Sequence, residues 1–290
     1  MGVSPLHLFR QGPVIMSLLK TAGSALGSQK SGQKGAGKVL TETVAPRNVD
    51  MVNDFLRHVG SDPGLYKGIL PPHFFPQWGF PILAASLEGQ PYNMSRVLNG
   101  GCELEILKPI PIAAPLKLTA TLDEVDDDGY RVIFRQRLVT GTDKEPECLI
   151  TRVNAIIPLK RREGAKKEKA RVPEHVREID CWRLPESVGM QFALATGDFN
   201  PVHWNRMYAR MSGFRNVILH GFSSMARSFA SLEQNVFSGD WKRITAFSAR
   251  FEKPIVLPAK MGVYIDGEGG IFAGKAPGGP SYMTGNYKSL

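Results

Sequence analysis

The sequence predicts an α+β protein made of two copies of one unit, each an antiparallel sheet wrapped around an apolar helix. Three observations carry this expectation. Ala85-Ser86-Leu87-Glu88 recurs as Ala230-Ser231-Leu232-Glu233, and Lys108-Pro109-Ile110 recurs as Lys253-Pro254-Ile255, both at an offset of 145 residues. Two independent matches at one offset mark a duplication. Each copy carries an apolar helix, about 72–88 and 220–235, and the first helix is followed by strands near 97–107, 115–125, 129–141 and 147–158. Within these strands Val132, Phe134 and Leu138, or Leu149, Val153 and Ala155, mark one face each. A helix followed by a meander of strands buries its apolar surface when the sheet curls around it.

In chain order, residues 1–40 are rich in Gly, Ser and Lys, with one short apolar patch at Val14-Ile15-Met16 and Leu18-Leu19 that Ser17 interrupts and Lys20 ends. The patch is too short and broken for a secretory core, so a basic, flexible extension is expected. The lack of acids before Glu42 leaves an organelle presequence open, and a start at Met16 is open as well. The first unit is expected over 41–159, a basic connector over 160–171 and the second unit over 172–290. Two units of this size bury a sizeable core.

Composition excludes several function classes. With 42% hydrophobic and 22% charged residues the chain is globular, and no apolar run approaches the roughly 18 residues that span a bilayer. A soluble protein is expected. The net charge of +9 resolves into +5 for residues 1–47, +5 for residues 160–171 and about −1 for the rest. The basicity therefore belongs to a tail and a linker, and no nucleic-acid groove is expected. Cys102, Cys148 and Cys181 are odd in number and widely spaced, so they are read as buried thiols in a reducing, cytoplasmic setting.

Minor motifs are read structurally. Asp126-Asp127-Asp128-Gly129 lacks a twelve-residue calcium loop and is expected to be a hairpin turn. Gly267-Glu268-Gly269-Gly270 and Gly274-Lys275 lack the Ser or Thr of a phosphate loop and are expected to turn the last strands.

Chemistry concentrates in Thr196-Gly197-Asp198-Phe199-Asn200-Pro201-Val202-His203. A carboxylate, an amide and an imidazole fall within six residues, around a turn enforced by Gly197 and Pro201. Pro201 suits the first residue of a helix, which makes Asn200 its cap and places His203 in the first turn. Asp198 can swing back toward the imidazole and share a water with it. Asn-Pro after an Asp is also an ordinary helix start. What tips the reading is His220-Gly221-Phe222, because Gly221 opens an apolar helix and offers a bare N–H at the positive end of its dipole. Along that helix Phe222, Met225, Phe229 and Leu232 form the buried stripe.

These residues resemble the MaoC-like dehydratases, or (R)-specific enoyl-CoA hydratases, of the hot-dog fold. The family's Gly-Asp-x-Asn-Pro-x-His run and its later His-Gly pair stand here as Gly197, Asp198, Asn200, Pro201 and His203, followed by His220 and Gly221. Asn205 departs from the acid that many members carry and is read as a surface difference.

The resemblance implies a double hot-dog fold and reversible hydration of a trans-2-enoyl thioester. Asp198 and His203 are then the acid/base pair and Gly221 the oxyanion donor, while Gly197, Asn200, His220 and Phe222 support the site or the substrate. No metal or redox cofactor is implied; coenzyme A or an acyl-carrier phosphopantetheine arm enters with the substrate.

Nothing in residues 41–75 repeats the motif, the nearest text being Asn53-Asp54-Phe55 and then Pro71-Pro72-His73. The first half is expected to have lost its site and, by the resemblance, to leave a tunnel for an acyl chain. The chain would act as a monomeric pseudo-dimer or a homodimer. Two alternatives stay open: a hot-dog thioesterase, which usually carries a carboxylate on the central helix, and a non-catalytic acyl-binding protein.

Overall fold

The computed structural model describes residues 2–12, 14–16, 35–160 and 169–290. Much of the basic connector, and residues 17–34 of the expected extension, lie outside them. The first half contains β1 (Val39–Val44), α1 (Val49–Val59), α2 (Pro76–Ser86), β2 (Leu98–Ile106), β3 (Leu116–Asp127), β4 (Arg131–Gly141) and β5 (Leu149–Pro158). The second contains β6 (Arg177–Leu184), α3 (Val188–Thr196), α4 (Arg206–Met211), α5 (Gly221–Asn235), β7 (Ile244–Phe251), β8 (Ala259–Ile265), β9 (Gly270–Gly274) and β10 (Ser281–Ser289).

Ten strands form one antiparallel sheet in the order β1-β3-β4-β5-β2-β7-β10-β9-β8-β6. Each half threads its five strands in the same spatial order, and the halves meet edge to edge through β2 and β7. In that pairing Glu103 lies opposite Ser248, while Cys102 faces Ala249 and Leu104 faces Phe247. Glu103 and Ser248 are themselves 145 residues apart, so the offset read from the sequence repeat marks a pseudo-twofold axis through this pair. A two-fold interface pairs a surface with its own copy, and here both copies belong to one chain.

The sheet curls around α2 and α5. Helix α5 is buried on most sides, with Met225, Ala226, Phe229 and Leu232 at 0% exposure. One of its buried serines is accommodated by local bonding: Ser231 Oγ donates to the Arg227 carbonyl at 2.8 Å and also lies 2.7 Å from Asp180 Oδ2. Such bonds keep the buried Ser231 hydroxyl from carrying a desolvation cost. The only carboxylate on α5, Glu233, is fully buried and accepts from Ser61 Oγ at 2.7 Å and from the Tyr66 hydroxyl, both of the first half. Aromatic packing adds to this junction: Phe222 lies 5.4 Å from Phe75 and 5.0 Å from Phe80 between ring centres, and His73 stacks on Phe229 at 4.6 Å.

Three features differ from the sequence expectation. Each half begins with a strand and an extra helix before its central helix, and α1 packs against α3 across the halves. Periodicity gives no contrast in α3, where Val188, Phe192, Ala193 and Ala195 are all buried. Second, the expected flexible extension includes a segment that is fixed: Val3, His7, Gln11 and Val14 are buried. His7 Nε2 meets Asp54 of α1 at 3.0 Å. The Gln11 carboxamide donates to the carbonyls of Leu194 at 3.0 Å and Ala195 at 2.9 Å, at the end of α3, and accepts from Gln77 Nε2 at 3.2 Å. Third, Cys181 is only partly buried, whereas Cys102 and Cys148 are buried as expected; all three are free.

Gln11 thus closes the end of α3. Replacing it, Gln11→Ala, strands two carbonyls and a buried amide, at about 1–3 kcal/mol for an unsatisfied buried group. A fall in Tm of roughly 2–4 °C per kcal/mol is expected by calorimetry.

Burial also holds two histidines neutral. His73 is fully buried with no hydrogen-bond partner for either ring nitrogen among the described residues, and burial alone pushes it down to about 3. His58 of α1 is pushed down to about 3 by burial and then by the Arg227 guanidinium. An unfolded imidazole titrates near about 6.5, so the unfolded chain binds protons that these two refuse. Their contribution is complete above that pH and is lost as pH falls, by up to about 1.4 kcal/mol per pH unit for each. Tm should therefore decline between pH 7.5 and pH 5, and His73→Met, which conserves volume, should give a shallower slope.

Candidate active site

The motif read from the sequence lies on the loop that leaves α3. Gly197 ends that helix in the left-handed conformation, φ 84°, with its N–H on the Ala193 carbonyl at 2.7 Å. A side chain would be strained there and would meet Val14 at 2.7 Å. Asp198 follows, its carboxylate accepting weakly from the Asn200 N–H at 3.4 Å. Asn200 caps the next turn through its side chain, which accepts from the Val202 N–H at 3.3 Å. That turn, Pro201–His203, is a single 3-10 turn where the sequence suggested an α-helix. The α-helix begins only at Arg206, capped by Asn205, whose Oδ1 accepts from the Tyr208 N–H at 3.0 Å. The departure at Asn205 is thus a helix cap.

His203 is held from two sides. Its Nδ1–H donates to the Ile218 carbonyl at 2.8 Å. In the neutral ring this leaves the lone pair on Nε2. Behind its backbone sits Gly189 of α3, where a Cβ would stand 2.1 Å from the His203 carbonyl oxygen. Only glycine lets α3 and this turn approach so closely.

His220 completes the cluster. Its Nε2–H donates to the Asp198 carbonyl at 3.0 Å, and its ring stacks on His203 with centroids 3.6 Å apart and planes inclined by 24°. The three side chains Asp198, His203 and His220 place one ligand atom each within 4.8 Å of one another. They are the metal-capable group found among the described residues. Stacked rings, however, direct their in-plane lone pairs side by side, whereas a tetrahedral ion needs them to converge. The donor set fits an acid/base cluster better than a zinc site.

Electrostatics follow from burial. His203 and His220 are 9% and 1% exposed, and the Asp198 side chain 16%. Burial raises the Asp198 carboxyl above its usual range, opposed by His203. Burial lowers His203, opposed by Asp198 and by the Ile218 carbonyl. His220 is driven well down by burial and then by the neighbouring His203. The two imidazoles are consequently neutral at neutral pH, and the carboxyl and the His203 ring approach each other in basicity.

Gly221 is the first residue of α5. The His220 carbonyl accepts from Ser223 and Ser224, at 3.1 and 3.2 Å, while the N–H of Gly221 takes no acceptor among the described residues. A Cβ at this position would meet the Phe251 ring at 2.7 Å, so glycine is required for space. Phe222 turns into the core against Phe251 at 5.7 Å and the first half.

Sequence reasoning missed Ile218, because a backbone carbonyl carries no side-chain signal, and Gln11, because a glutamine in a Ser/Lys-rich stretch reads as solvated. Gly189 was findable, since an isolated glycine inside an apolar helix usually marks close approach. Arg227 was findable too: it is the one cation on α5, 3.4 Å from His58 and lowered to about 10 by burial.

Beside the cluster, rings of both halves meet: Phe55 lies 6.2 Å from Phe192, which lies 4.8 Å from His220. Surface cavities of about 530 and 610 Å³ lie elsewhere, and neither is lined by Asp198 or His203.

Comparison with known proteins bears on this constellation. Residues 165–275 match the family described as MaoC like domain. The mouse peroxisomal multifunctional enzyme type 2 is 29% identical over 177 residues, covering 59% of this chain and 24% of that protein. The 3-hydroxyacyl-thioester dehydratase X of Mycobacterium tuberculosis is 37% identical over 81 residues, covering 28% of this chain and 27% of that protein. The chain thus spans about a quarter of the length of either relative. A Mycobacterium tuberculosis protein described as having a double hot-dog fold superposes with a TM-score of 0.56 at 10% identity, covering 88% of this chain and 96% of that one. The two helix-wrapped halves are this fold.

Gly189→Ala tests how tightly α3 fixes the His203 backbone. The new methyl would press on the His203 backbone, which has to shift to admit it, so a loss of about 1–3 kcal/mol, typical of overpacking, is expected from denaturant unfolding.

Proposed function

We propose, for a chain that carries a MaoC-like domain over residues 165–275, that it reversibly hydrates a trans-2-enoyl thioester to the 3-hydroxyacyl thioester, with (R) stereochemistry as the resemblance implies. The observation that supports this most is the meeting of Asp198 and His203 within 4.8 Å, with His203 Nδ1 committed to Ile218 and Nε2 left to a substrate water.

In the forward direction the oxygen of that water bonds to Cβ of the enoyl group. One of its protons passes to the Asp198/His203 pair, and the pair returns a proton to Cα. The pair titrates as a unit, so the roles of base and acid belong to it jointly. As the C–C double bond opens, charge moves onto the thioester oxygen, and the Gly221 N–H at the helix N-terminus meets it. His220 keeps the Asp198 loop and the His203 ring in register, Asn200 and Gly197 shape the turn, and Phe222 anchors the start of α5.

The cycle uses no metal or redox cofactor in this reading, and the acyl group arrives on coenzyme A or a carrier-protein arm. A reducing, cytoplasmic compartment suits the three free thiols, and no helix among the described residues is long and apolar enough to cross a membrane. The chain acts as a pseudo-dimer whose second half alone is catalytic. The thioesterase alternative has little to draw on, because the sole carboxylate of α5, Glu233, is held by Ser61 and Tyr66 away from the cluster.

The test follows loss of enoyl-thioester absorbance with crotonyl-, octenoyl- and hexadecenoyl-CoA, with thiol release measured in parallel. Asp198→Asn and His203→Ala should each lower kcat by roughly 10²–10⁴-fold without thiol release, and the chain-length profile reports how far the aromatic junction yields to an acyl chain. Thiol release by the wild type, or full activity in either variant, would overturn the reading.

A further inference from the structure

Rings from four separate elements follow one another behind the acid/base pair. His203, on the 3-10 turn, and His220, the N-cap of α5, have centroids 3.6 Å apart. His220 lies 4.8 Å from Phe192 of α3, and Phe192 lies 6.3 Å from His58 of α1. Phe192 is 1% exposed, and Phe55 closes in on it at 6.2 Å. At the far end Arg227 Nη2 of α5 stands 3.4 Å from His58 Nε2. A guanidinium only donates, so the imidazole accepts there. Gln191 of α3 hydrogen-bonds the same imidazole. His58 is thereby held between α5 and α3 while it backs Phe192.

His220 needs such backing. Its ring makes one hydrogen bond, Nε2–H to the Asp198 carbonyl at 3.0 Å, while Nδ1 is buried with no hydrogen-bond partner among the described residues. A single bond fixes one point of the ring and leaves its tilt to the groups that press on it. His203 takes one face at 3.6 Å, so Phe192 bears on His220 from the remaining side. In a close-packed interior that contact leaves the ring little room to turn. Phe192 also reaches Asp198 through the backbone. Its carbonyl accepts from Thr196 Oγ1 at 2.8 Å, and that oxygen lies 3.5 Å from the Asp198 N–H. One residue of α3 thus supports both the loop that carries Asp198 and the ring that lies against His203.

We propose that Phe192 is a positioning residue for the Asp198/His203 pair. Backed by His58, it keeps the His220 ring against His203, and so keeps His203 Nε2 and the Asp198 carboxylate turned to one water. The inference rests on the hydratase reading for the reaction it serves. Phe192 itself touches no reacting atom. Displacing catalytic groups by about 1 Å from a distance costs up to roughly 10²-fold in rate, so the ring acts on kcat and not on substrate affinity.

The experiment compares Phe192→Leu with Phe134→Leu. Phe134 is fully buried in a separate core cluster of the first half, so its substitution opens a cavity away from the rings. Both variants should lose Tm, but only Phe192→Leu should lower kcat for crotonyl-CoA, by about 10–10²-fold with KM within about twofold of wild type. His58 is half-buried, so His58→Ala withdraws the backing without opening the core. It should lower kcat by about three- to tenfold, and His58→Phe, which keeps a ring beside the Arg227 guanidinium, should restore it. This second pair decides the question if Phe192→Leu does not fold.

Nuclear magnetic resonance of the carbon-bound ring protons of His203 gives a readout that needs no substrate. His203 lies one ring beyond His220, so a shift of its signal in Phe192→Leu or His58→Ala reports a displaced His220. Full kcat in both variants, an equal loss of kcat in Phe134→Leu, or a His203 signal that neither variant moves overturns the inference. Hydration by the wild type that ignores both substitutions sinks the role of Phe192 alone. A wild type that hydrates no enoyl thioester, while its His203 signal responds to His58→Ala, sinks the hydratase reading and upholds Phe192 as the residue that positions the cluster.

Discussion

The antiparallel pairing of β2 with β7 is the constraint on which the structure depends. It turns two five-stranded sheets into one and leaves neither half with an open strand edge at the join, where unpaired N–H and C=O groups would invite other chains. It also sets both central helices against the same curved surface. From that follow the contacts of Phe222 with Phe75 and Phe80, the stacking of His73 on Phe229 and the burial of Glu233 under Ser61 and Tyr66. The Asp198 loop then has a rigid floor, because α3 and α5 are both pinned by elements of the first half.

Much of this was legible, for physical reasons that can be named. A repeated tetrapeptide and a repeated tripeptide preserve the offset that the sheet register reproduces at Glu103 and Ser248. Strands with one buried face announce themselves by alternation, as β4 does with Val132, Phe134 and Leu138. The side-chain half of the site, Asp198, His203, His220 and Gly221, stood in the motif. Backbone contributions did not. The Ile218 carbonyl that fixes the His203 tautomer is invisible in any side-chain pattern, and β1 pairs with β3 without alternating burial of its own. Gln11 was hidden for the opposite reason: its composition says solvent, and only the free carbonyls at the end of α3 give it a buried partner.

The chemistry of the site is governed by dryness. Each imidazole near Asp198 is kept uncharged by burial, and the stacked arrangement of His203 on His220 would be untenable if both were protonated. Burial raises the Asp198 carboxyl and lowers the His203 imidazole, so the two are moved toward one another in basicity. The same interior that makes the pair useful makes it vulnerable to acid, because every neutral buried imidazole is a proton the unfolded chain would accept.

The axis through Glu103 and Ser248 has a further consequence. Two separate subunits joined in this way would part on dilution, and their stability would carry a term in concentration. Here the partner is tethered, so its local concentration is fixed by the chain at an effectively high value. The halves are also free to diverge, since a change in one is no longer copied into the other. One half can hold chemistry while the other, with His73 sealed in its core, serves as scaffold, and the proportion between them remains one to one however little protein there is.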